Sequence, residues 1–504
     1  MSVLEVVIVG LYFIVLLGLC TLGLHRAAMV YFAWKNRRYV DRMVRPLQRF
    51  SPRELPTVTV QLPLYNEATV TARLLDAAGK LDYPLDRLEI QVLDDSTDET
   101  QSIAAAKVKE LRGRGINAHY LRRPDRHGYK AGALEFGLRS ARGELIAMFD
   151  ADFVPQRSFL KDIVDHFTDP GVGMVQTRWA HMNRDANLLT QLQALMLDGH
   201  HLVENRARFG SSCYFNFAGT GGMWRRTAID EAGGWQHDTL TEDLDLSYRA
   251  QMGGSRFIYR PDIQTPSELP EDVSALRAQQ HRWAKGTVQT ARKLLPTVLR
   301  HPGLSLHQRV EAAFHMLPHF AYPLMLLMSL LMLPTLLLLP PSDVTTMMLI
   351  DLPVCICATG SIAAFYATAE MRQGRSALSA LMKLPVLIGL GAGLSPHLTA
   401  AVWSGLREMS GEFVRTPKRG AGMSRYRMGA RVPVVELGMS ALCLASSVVA
   451  VETGHWFAAP FSGLFAWGYG YVAVLLLKEQ LLPAGRETAT PASNMEEASL
   501  AKAA

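Results

Sequence analysis

Glu144-Leu145-Ile146-Ala147-Met148-Phe149-Asp150-Ala151-Asp152 decides the reading of this chain. A strand-length apolar run stops in two carboxylates, one residue apart. Side chains alternate along a strand, so Asp150 and Asp152 are predicted on one face. In a parallel α/β sheet, ligands bind beyond the carboxyl ends of the strands. Two carboxylates held together there need a positive partner, and a divalent cation carrying phosphate oxygens supplies one. Taken alone, the triplet reads equally well as two solvated turn aspartates.

The pattern repeats on both sides. Residues 58–62 read as a strand, followed by the turn Pro63-Leu64-Tyr65-Asn66-Glu67 and a helix. Residues 88–93 form a second strand ending in Asp94-Asp95-Ser96-Thr97, where Ser96 or Thr97 is a candidate N-cap. Residues 117–121 are a third strand, and 122–132 lead into another helix. A further strand is expected over 172–179 and a long helix over 187–209. Short apolar runs alternating with helical patterns predict a doubly wound, mostly parallel sheet. Residues 215–226 are rich in glycine, which lets backbone approach a ligand. Thr241-Glu242-Asp243 starts a helix, and Gln279-Gln280-His281-Arg282-Trp283 sits late in another. No G-x-G-x-x-G or P-loop follows the first strand, which argues against a nicotinamide enzyme or an ATPase.

The net charge of +6 over 504 residues is modest, and the basic residues cluster beside apolar segments. That favours a membrane surface over nucleic acid. No zinc-like Cys/His spacing or nucleic-acid motif occurs. Four of the five cysteines (Cys20, Cys213, Cys355, Cys357 and Cys443) lie in apolar runs, and no pair reads as a disulfide framework. The polar part is therefore expected in a reducing cytoplasm.

Residues 3–24 are long and apolar enough to cross a bilayer. No basic residue precedes them and no small-residue cleavage site follows, unlike a signal peptide. Arg26, Lys35, Arg37, Arg38 and Arg42 come next, so this side is expected to be cytoplasmic. Further span-length runs cover 318–340, 346–368, 434–451 and 456–477. Residues 377–406 are apolar but interrupted by Lys383, Pro385, Pro396 and His397. Were they to span, the basic stretch from Arg407 to Arg431 would lie outside, so a re-entrant or interfacial segment is expected. Five spans result. The tail over 483–504 is small and polar, and is expected to be disordered.

Five signals stand in order: Asp94/Asp95, Lys130 after a glycine turn, Asp150/Asp152, Thr241-Glu242-Asp243, and Gln279-x-x-Arg282-Trp283. With the flanking spans they resemble the family 2 processive β-glycosyltransferases, which include the cellulose, chitin and hyaluronan synthases. Gly128-Tyr129-Lys130-Ala131-Gly132-Ala133-Leu134, Phe149-Asp150-Ala151-Asp152-Phe153, Glu231-Ala232-Gly233-Gly234-Trp235 and Gln279-Gln280-His281-Arg282-Trp283 look most like the plant cellulose-synthase-like mannan and glucan synthases. The resemblance is dense over residues 55–295 and looser in the membrane part. It implies an α/β, GT-A-type (Rossmann-like, mostly parallel sheet) cytosolic domain inserted between α-helical transmembrane segments. The expected layout is a transmembrane helix at 1–25, a basic cytosolic linker at 26–54, and the catalytic domain at 55–295. Interfacial helices and about four transmembrane helices follow at 296–482, giving a multi-pass protein of a bacterial inner membrane or its equivalent.

The resemblance implies roles. Tyr65, Glu67, Asp94 and Asp95 would line the nucleoside of a nucleotide diphosphate sugar, with UDP-glucose and GDP-mannose as candidate donors. Lys130 would contact the diphosphate. Asp150 would contact the nucleotide sugar, and Asp152, with Asp150, would bind Mg²⁺ or Mn²⁺. Asp243 would be the general base that deprotonates an acceptor hydroxyl for inversion; its ordinary alternative is a helix N-terminal aspartate. Phe217, Gly219, Thr220 and Glu242 would shape the acceptor site. Gln279, Arg282 and Trp283 would sit near the acceptor end, the indole offering a face to a sugar. Phe413-Val414-Arg415-Thr416-Pro417-Lys418 resembles a cytosolic gating loop (405–432), with Thr416 and Lys418 over the nucleotide, although Arg415 stands where the family has Val. Trp179, Trp224 and Trp235 could also stack on a sugar, but core packing is the expected role of each. The leading expectation is extension and translocation of a β-linked glucan- or mannan-type polysaccharide. A lipid glycosyltransferase acting on ceramide or diacylglycerol is the rival enzyme, and a nucleotide-sugar-binding scaffold the non-enzymatic one.

Overall fold

In the computed structural model, residues 2–340, 345, 354, 356–409, 411 and 432–481 are described. The chain opens with α1 (Val3–Lys35) and α2 (Arg37–Met43). An α/β body follows: β1 (Val58–Leu64), α3 (Ala68–Ala78), β2 (Leu88–Asp94), α4 (Thr100–Gly113), β3 (Asn117–Leu121), α5 (Tyr129–Ser140), β4 (Leu145–Met148), α6 (Phe159–Val164), β5 (Val172–His181), α7 (Leu188–Gly199), α8 (Asn205–Gly210), β6 (Gly222–Arg225), α9 (Arg226–Glu231), α10 (Glu242–Met252), β7 (Arg256–Ser267) and α11 (Val273–Arg300). Then come α12 (Leu306–Met316), α13 (Ala321–Leu338), α14 (Ser361–Met371), α15 (Ala377–Arg407), α16 (Val434–Glu452) and α17 (Ala458–Leu481).

The seven strands form one sheet in the order β3-β2-β1-β4-β6-β5-β7. Only β6 runs against its neighbours, pairing antiparallel with both β4 and β5. A sheet covered on both faces needs nearly continuous apolar strands, and all of β2 is buried. Val60, Leu62, Ile90 and Val92 are sealed completely, each worth about 1.5–3 kcal/mol relative to exposure. The polar exceptions bond one another: Thr59 Oγ1 donates to Glu89 Oε2 at 2.6 Å and Gln61 Nε2 to Gln91 Oε1 at 3.1 Å.

Three expectations change, and two strands are added. β4 stops at Met148, so Asp150 and Asp152 occupy the turn beyond it and strand alternation does not orient them. The long helix expected over 187–209 is interrupted by a π turn, His200–Glu204, between α7 and α8. Neither Ser96 nor Thr97 caps α4: Ser96 Oγ instead accepts the Asn66 N–H at 2.8 Å, and the N-cap position falls on Glu99. β6 and β7 carry no simple strand signature, since β6 has four residues and β7 contains Pro261 and Pro266. An edge strand tolerates proline, and β7 is an edge.

Five described helices are long and apolar enough to cross a membrane: Val3–Lys35, Pro318–Leu338, Ala377–Arg407, Val434–Glu452 and Ala458–Leu481. The run over 346–368 is only partly within the described residues, which include the π turn Ile356–Gly360 and α14. The segment 412–431, with Thr416 and Lys418, and the tail over 483–504 lie outside the described residues. α15, expected as a re-entrant or interfacial segment, is one continuous 31-residue helix despite Pro385 and Pro396. At ~1.5 Å per residue it exceeds a hydrocarbon core of ~30 Å. Yet both of its ends meet the α/β body. Glu370, at the end of α14 just before it, pairs with Arg184. At the other end Arg292 Nη1 donates to Gly405 O at 3.0 Å, and Lys285 Nζ lies 2.5 Å from Glu408 Oε2. The far side of the membrane helices is elsewhere, where His455 Nε2 meets Pro340 O at 3.0 Å.

Candidate active site

The turn after β4, the start of α5, the loop before β6 and the start of α10 converge. Lys130, one residue into α5, places Nζ 2.5 Å from Asp150 Oδ1 and donates to Gly219 O at 3.0 Å. The Asp150 N–H donates to Thr220 Oγ1 at 2.9 Å. Gly219 has φ +79°, and a Cβ there would stand 3.1 Å from Asp243 Oδ2 and 3.5 Å from Lys130 Nζ. A side chain would thus be strained and would crowd the Asp243 carboxylate. Buried Gln176 frames this loop: its Nε2 donates to Thr220 O and Gly221 O at 3.1 Å, and its Oε1 accepts Ala218 N–H at 2.8 Å.

Thr241 holds the N-cap position of α10 but makes no side-chain cap. Its hydroxyl lies 3.0 Å from that of Thr290. Asp243 Oδ1 accepts the Leu244 N–H at 2.8 Å, while Oδ2 faces Gly219. Burial, then the neighbouring Glu242 charge, pushes the Asp243 carboxyl up to about 7. Burial also raises Glu242. Lys130 behaves oppositely: burial alone would lower it, but Asp150, Glu242 and Asp243 hold it above the usual lysine range. Arg282 is lowered by burial, against the pull of Glu242, Asp150, Asp243 and Asp152. Two cations therefore share one pocket with four carboxylates.

The outer residues divide. Asp94 is buried, its Oδ2 accepting the Tyr120 hydroxyl at 2.6 Å and its Oδ1 the Ser96 N–H at 2.9 Å. Asp95 is gripped at both oxygens by Arg123, whose Nη2 also donates to Tyr129 O at 3.0 Å. Asp95 thus ties the pocket floor to the start of α5, and Asp94 ties it to β3. Tyr65 lies under the Arg126 guanidinium, 3.3 Å from the ring centroid. Glu67 occupies the N-cap position of α3. The Phe217 ring is fully buried against Trp224, so it supports the loop from behind.

Gln279, Trp283 and Asp243 line one end of a cavity of about 790 Å³. Its lining continues between the membrane helices to Leu336, Pro340 and Phe457. Trp224 and Trp235 are core residues, whereas Trp179 is only partly buried and lines this cavity. Asn216 and His315 line it too, joined at 3.2 Å, with Tyr248 OH 2.8 Å from His315 Nδ1. Sequence reasoning preferred the core for Trp179 and missed Gln176 and the Arg123 clamp. An isolated tryptophan, glutamine or arginine carries no motif, and only the fold assembles them.

Among the described residues no group of three or more His, Cys, Asp or Glu side chains is set for a metal ion. The pocket offers Asp150 and Asp152, hard oxygen donors, with one Asp150 oxygen already on Lys130. A divalent ion wants about six oxygens. The residues therefore fit an ion shared with phosphate oxygens and do not form a complete protein cage.

Residues 145–368 match the model of glycosyl transferase family group 2. Glucomannan 4-beta-mannosyltransferase 2 of Arabidopsis thaliana is 38% identical over 293 residues, covering 57% of this chain and 55% of that protein. Glucomannan 4-beta-mannosyltransferase 1 of Oryza sativa subsp. japonica is 31% identical over 440 residues, covering 84% of each. The chain belongs to the family 2 glycosyltransferases, of the cellulose-synthase-like kind. Against several of these relatives the matched stretch spans about half of their length. Among solved structures, the mannosyltransferase PcManGT of Pyrobaculum calidifontis, in complex with GDP-Man and Mn2+, aligns with a TM-score of 0.46 at 24% identity, covering 77% of this chain and 99% of that one. The α/β body of this family member is a GT-A-type domain with one antiparallel strand in an otherwise parallel sheet.

Proposed function

We propose that this chain transfers a hexose from a nucleotide diphosphate sugar to a growing β-linked polysaccharide of glucomannan type, and passes the product between its own membrane helices. The observation that carries this is the continuity of one cavity from Asp243 and Trp283 to Pro340 and Phe457. GDP-mannose is the donor to test first, since the curated relatives are named mannosyltransferases. A lipid acceptor has no comparable support.

The geometry supports a single inverting displacement. The acceptor hydroxyl enters from the cavity side, between Trp283 and Asp243. Asp243 takes its proton as the oxygen attacks the anomeric carbon, and the nucleoside diphosphate leaves from the opposite face with the bonding electrons. A carboxyl raised to about 7 is well matched to this work near neutrality. Lys130 and Arg282 face the charge that develops on the departing diphosphate. Asp94, Asp95 and Tyr65 fix the nucleoside end. Asp152 and Asp150 would hold Mg²⁺ or Mn²⁺, which neutralises diphosphate charge when bound.

The same arrangement supports α15 as an interfacial helix, with the α/β body on the cytosolic side of a multi-pass protein. A donor screen tests the function. Membranes containing the chain, given radiolabelled GDP-mannose or UDP-glucose, are expected to make label that is insoluble in organic solvent and released by β-mannanase or β-glucanase. Label that partitions wholly into organic solvent would replace the polymer with a glycolipid.

A further inference from the structure

The candidate base is not held by its own helix alone. Gly286 lets α11 approach the segment before α10 so closely that a Cβ there would lie 2.7 Å from Thr241 Cγ2 and 2.8 Å from the Leu240 carbonyl carbon. Beside this contact lies Gln289, fully buried, which uses its amide in two directions. Its Oε1 accepts the Leu240 N–H at 3.0 Å, and its Nε2 donates to Glu408 O at 3.0 Å. Leu240 stands three residues before Asp243. Glu408 is the C-cap of α15. Neighbouring contacts run in the same two directions: Thr290 to Thr241 at 3.0 Å, and Lys285 to Glu408 at 2.5 Å.

We propose that Gln289 is a positioning residue for the transfer reaction. Its amide ties the Leu240–Asp243 segment to the end of α15, and so sets where the Asp243 carboxylate stands relative to Gly219 and Lys130. The proposal rests on Asp243 being the base described above. Both halves of a buried amide are costly to leave unpaired. Losing either therefore shifts the backbone that makes the bond. The donor groups Lys130 and Asp150 are not on this path, because they are held by Gly219 and Thr220.

The test uses the purified full chain with GDP-mannose and a β-linked manno-oligosaccharide. Gln289→Met keeps the length of the side chain and removes both hydrogen bonds. A displacement near 1 Å costs roughly 10²-fold, so kcat is expected to fall about 10- to 100-fold. The KM for GDP-mannose and the affinity for GDP by calorimetry should stay within about twofold, the signature of a contact that acts on the transition state. In Gln289→Glu the buried carboxyl faces a carbonyl oxygen and is kept protonated. It can accept from Leu240 and donate to Glu408 O, and should recover most of kcat. If Gln289→Met does not fold, Gln289→Asn, one methylene too short to bridge, replaces it with the same expectation. Unchanged kcat in the bond-deleting variant overturns the proposal, as does an equal loss of GDP affinity or a failure of Gln289→Glu to recover activity. A wild-type chain that transfers no sugar overturns the functional reading beneath it; an active wild type with an indifferent Gln289 overturns only the linkage.

Discussion

Lys130 Nζ stands 2.5 Å from Asp150 Oδ1, so one of the two cations in the pocket is already paired. A diphosphate entering the pocket has to share that ammonium with the carboxylate. Charge-assisted hydrogen bonds are worth about 1.5–3 kcal/mol, so Lys130→Met should weaken GDP binding by roughly 10- to 100-fold. Lys130→Arg should not restore it, because a planar guanidinium cannot occupy the site of a compact ammonium between Asp150 and Gly219. Calorimetry on the purified protein decides. Undiminished GDP affinity in Lys130→Met would remove Lys130 from the donor site.

Asp243 carries the opposite expectation. Asp243→Asn should lose about 10²–10⁴-fold in kcat, with GDP affinity little changed. If binding and turnover fall together, Asp243 belongs to the donor site. Near-normal turnover would leave it only its bond to Leu244.

The raised Asp243 carboxyl also gives two pH signatures. As a base it must be deprotonated, so kcat should rise with pH and level off above about 7. For stability the sign is reversed. A carboxyl raised on folding from about 3.8 to about 7 contributes its stability below pH 4, and that contribution is lost as pH rises through 7. Asp243→Asn stays neutral throughout. It should therefore melt above the wild type at pH 8, by roughly 2 °C or more, with the gap closing toward pH 4. A gap that widens on acidification would refute the assignment.

Much of this was legible before any coordinates. β1 to β5 follow from apolar runs that end in polar turns, and the convergence of Lys130, Asp150 and Asp243 follows the motif order. Three things were hidden for physical reasons. Asp94 and Asp95 look exposed in sequence, because a strand-ending acidic pair is usually solvated; here Tyr120 and Arg123 come from elsewhere to bury them. β7 was masked by Pro261 and Pro266, which only an edge position allows. The helical continuity of α15 was hidden because two prolines normally end a helix. Its placement came from charge asymmetry alone, and the contacts at its two ends are not written in its own residues.

Holding an ion between Asp150, Asp152 and a diphosphate predicts metal dependence. EDTA should abolish transfer, and Mg²⁺ or Mn²⁺ should restore it. Asp152→Asn should lose the part of GDP affinity that depends on added Mn²⁺ while keeping the metal-free part. Full turnover in excess chelator would exclude an ion held by Asp150 and Asp152.

The placement of α15 is open to chemical labelling. With the natural cysteines removed, single cysteines at Ser376 and Glu408 should both resist an impermeant maleimide in intact cells and both react in inverted vesicles. Opposite behaviour of the two positions would mean that the helix crosses the membrane.

A helix that leaves from and returns to the same body adds nothing to the parity of the chain. On the proposed arrangement the passes are α1, α13, the run ending in α14, α16 and α17, an odd number. The start of α1 and the end of α17 then face opposite compartments, although α15 alone is long enough to make the count even. Parity on this arrangement thus hangs on a few small anchors: Arg184 on Glu370 before the helix, and Lys285, Gln289 and Arg292 on its far end. On the proposed arrangement these contacts set which compartment the helix carrying Gln279 and Trp283 faces.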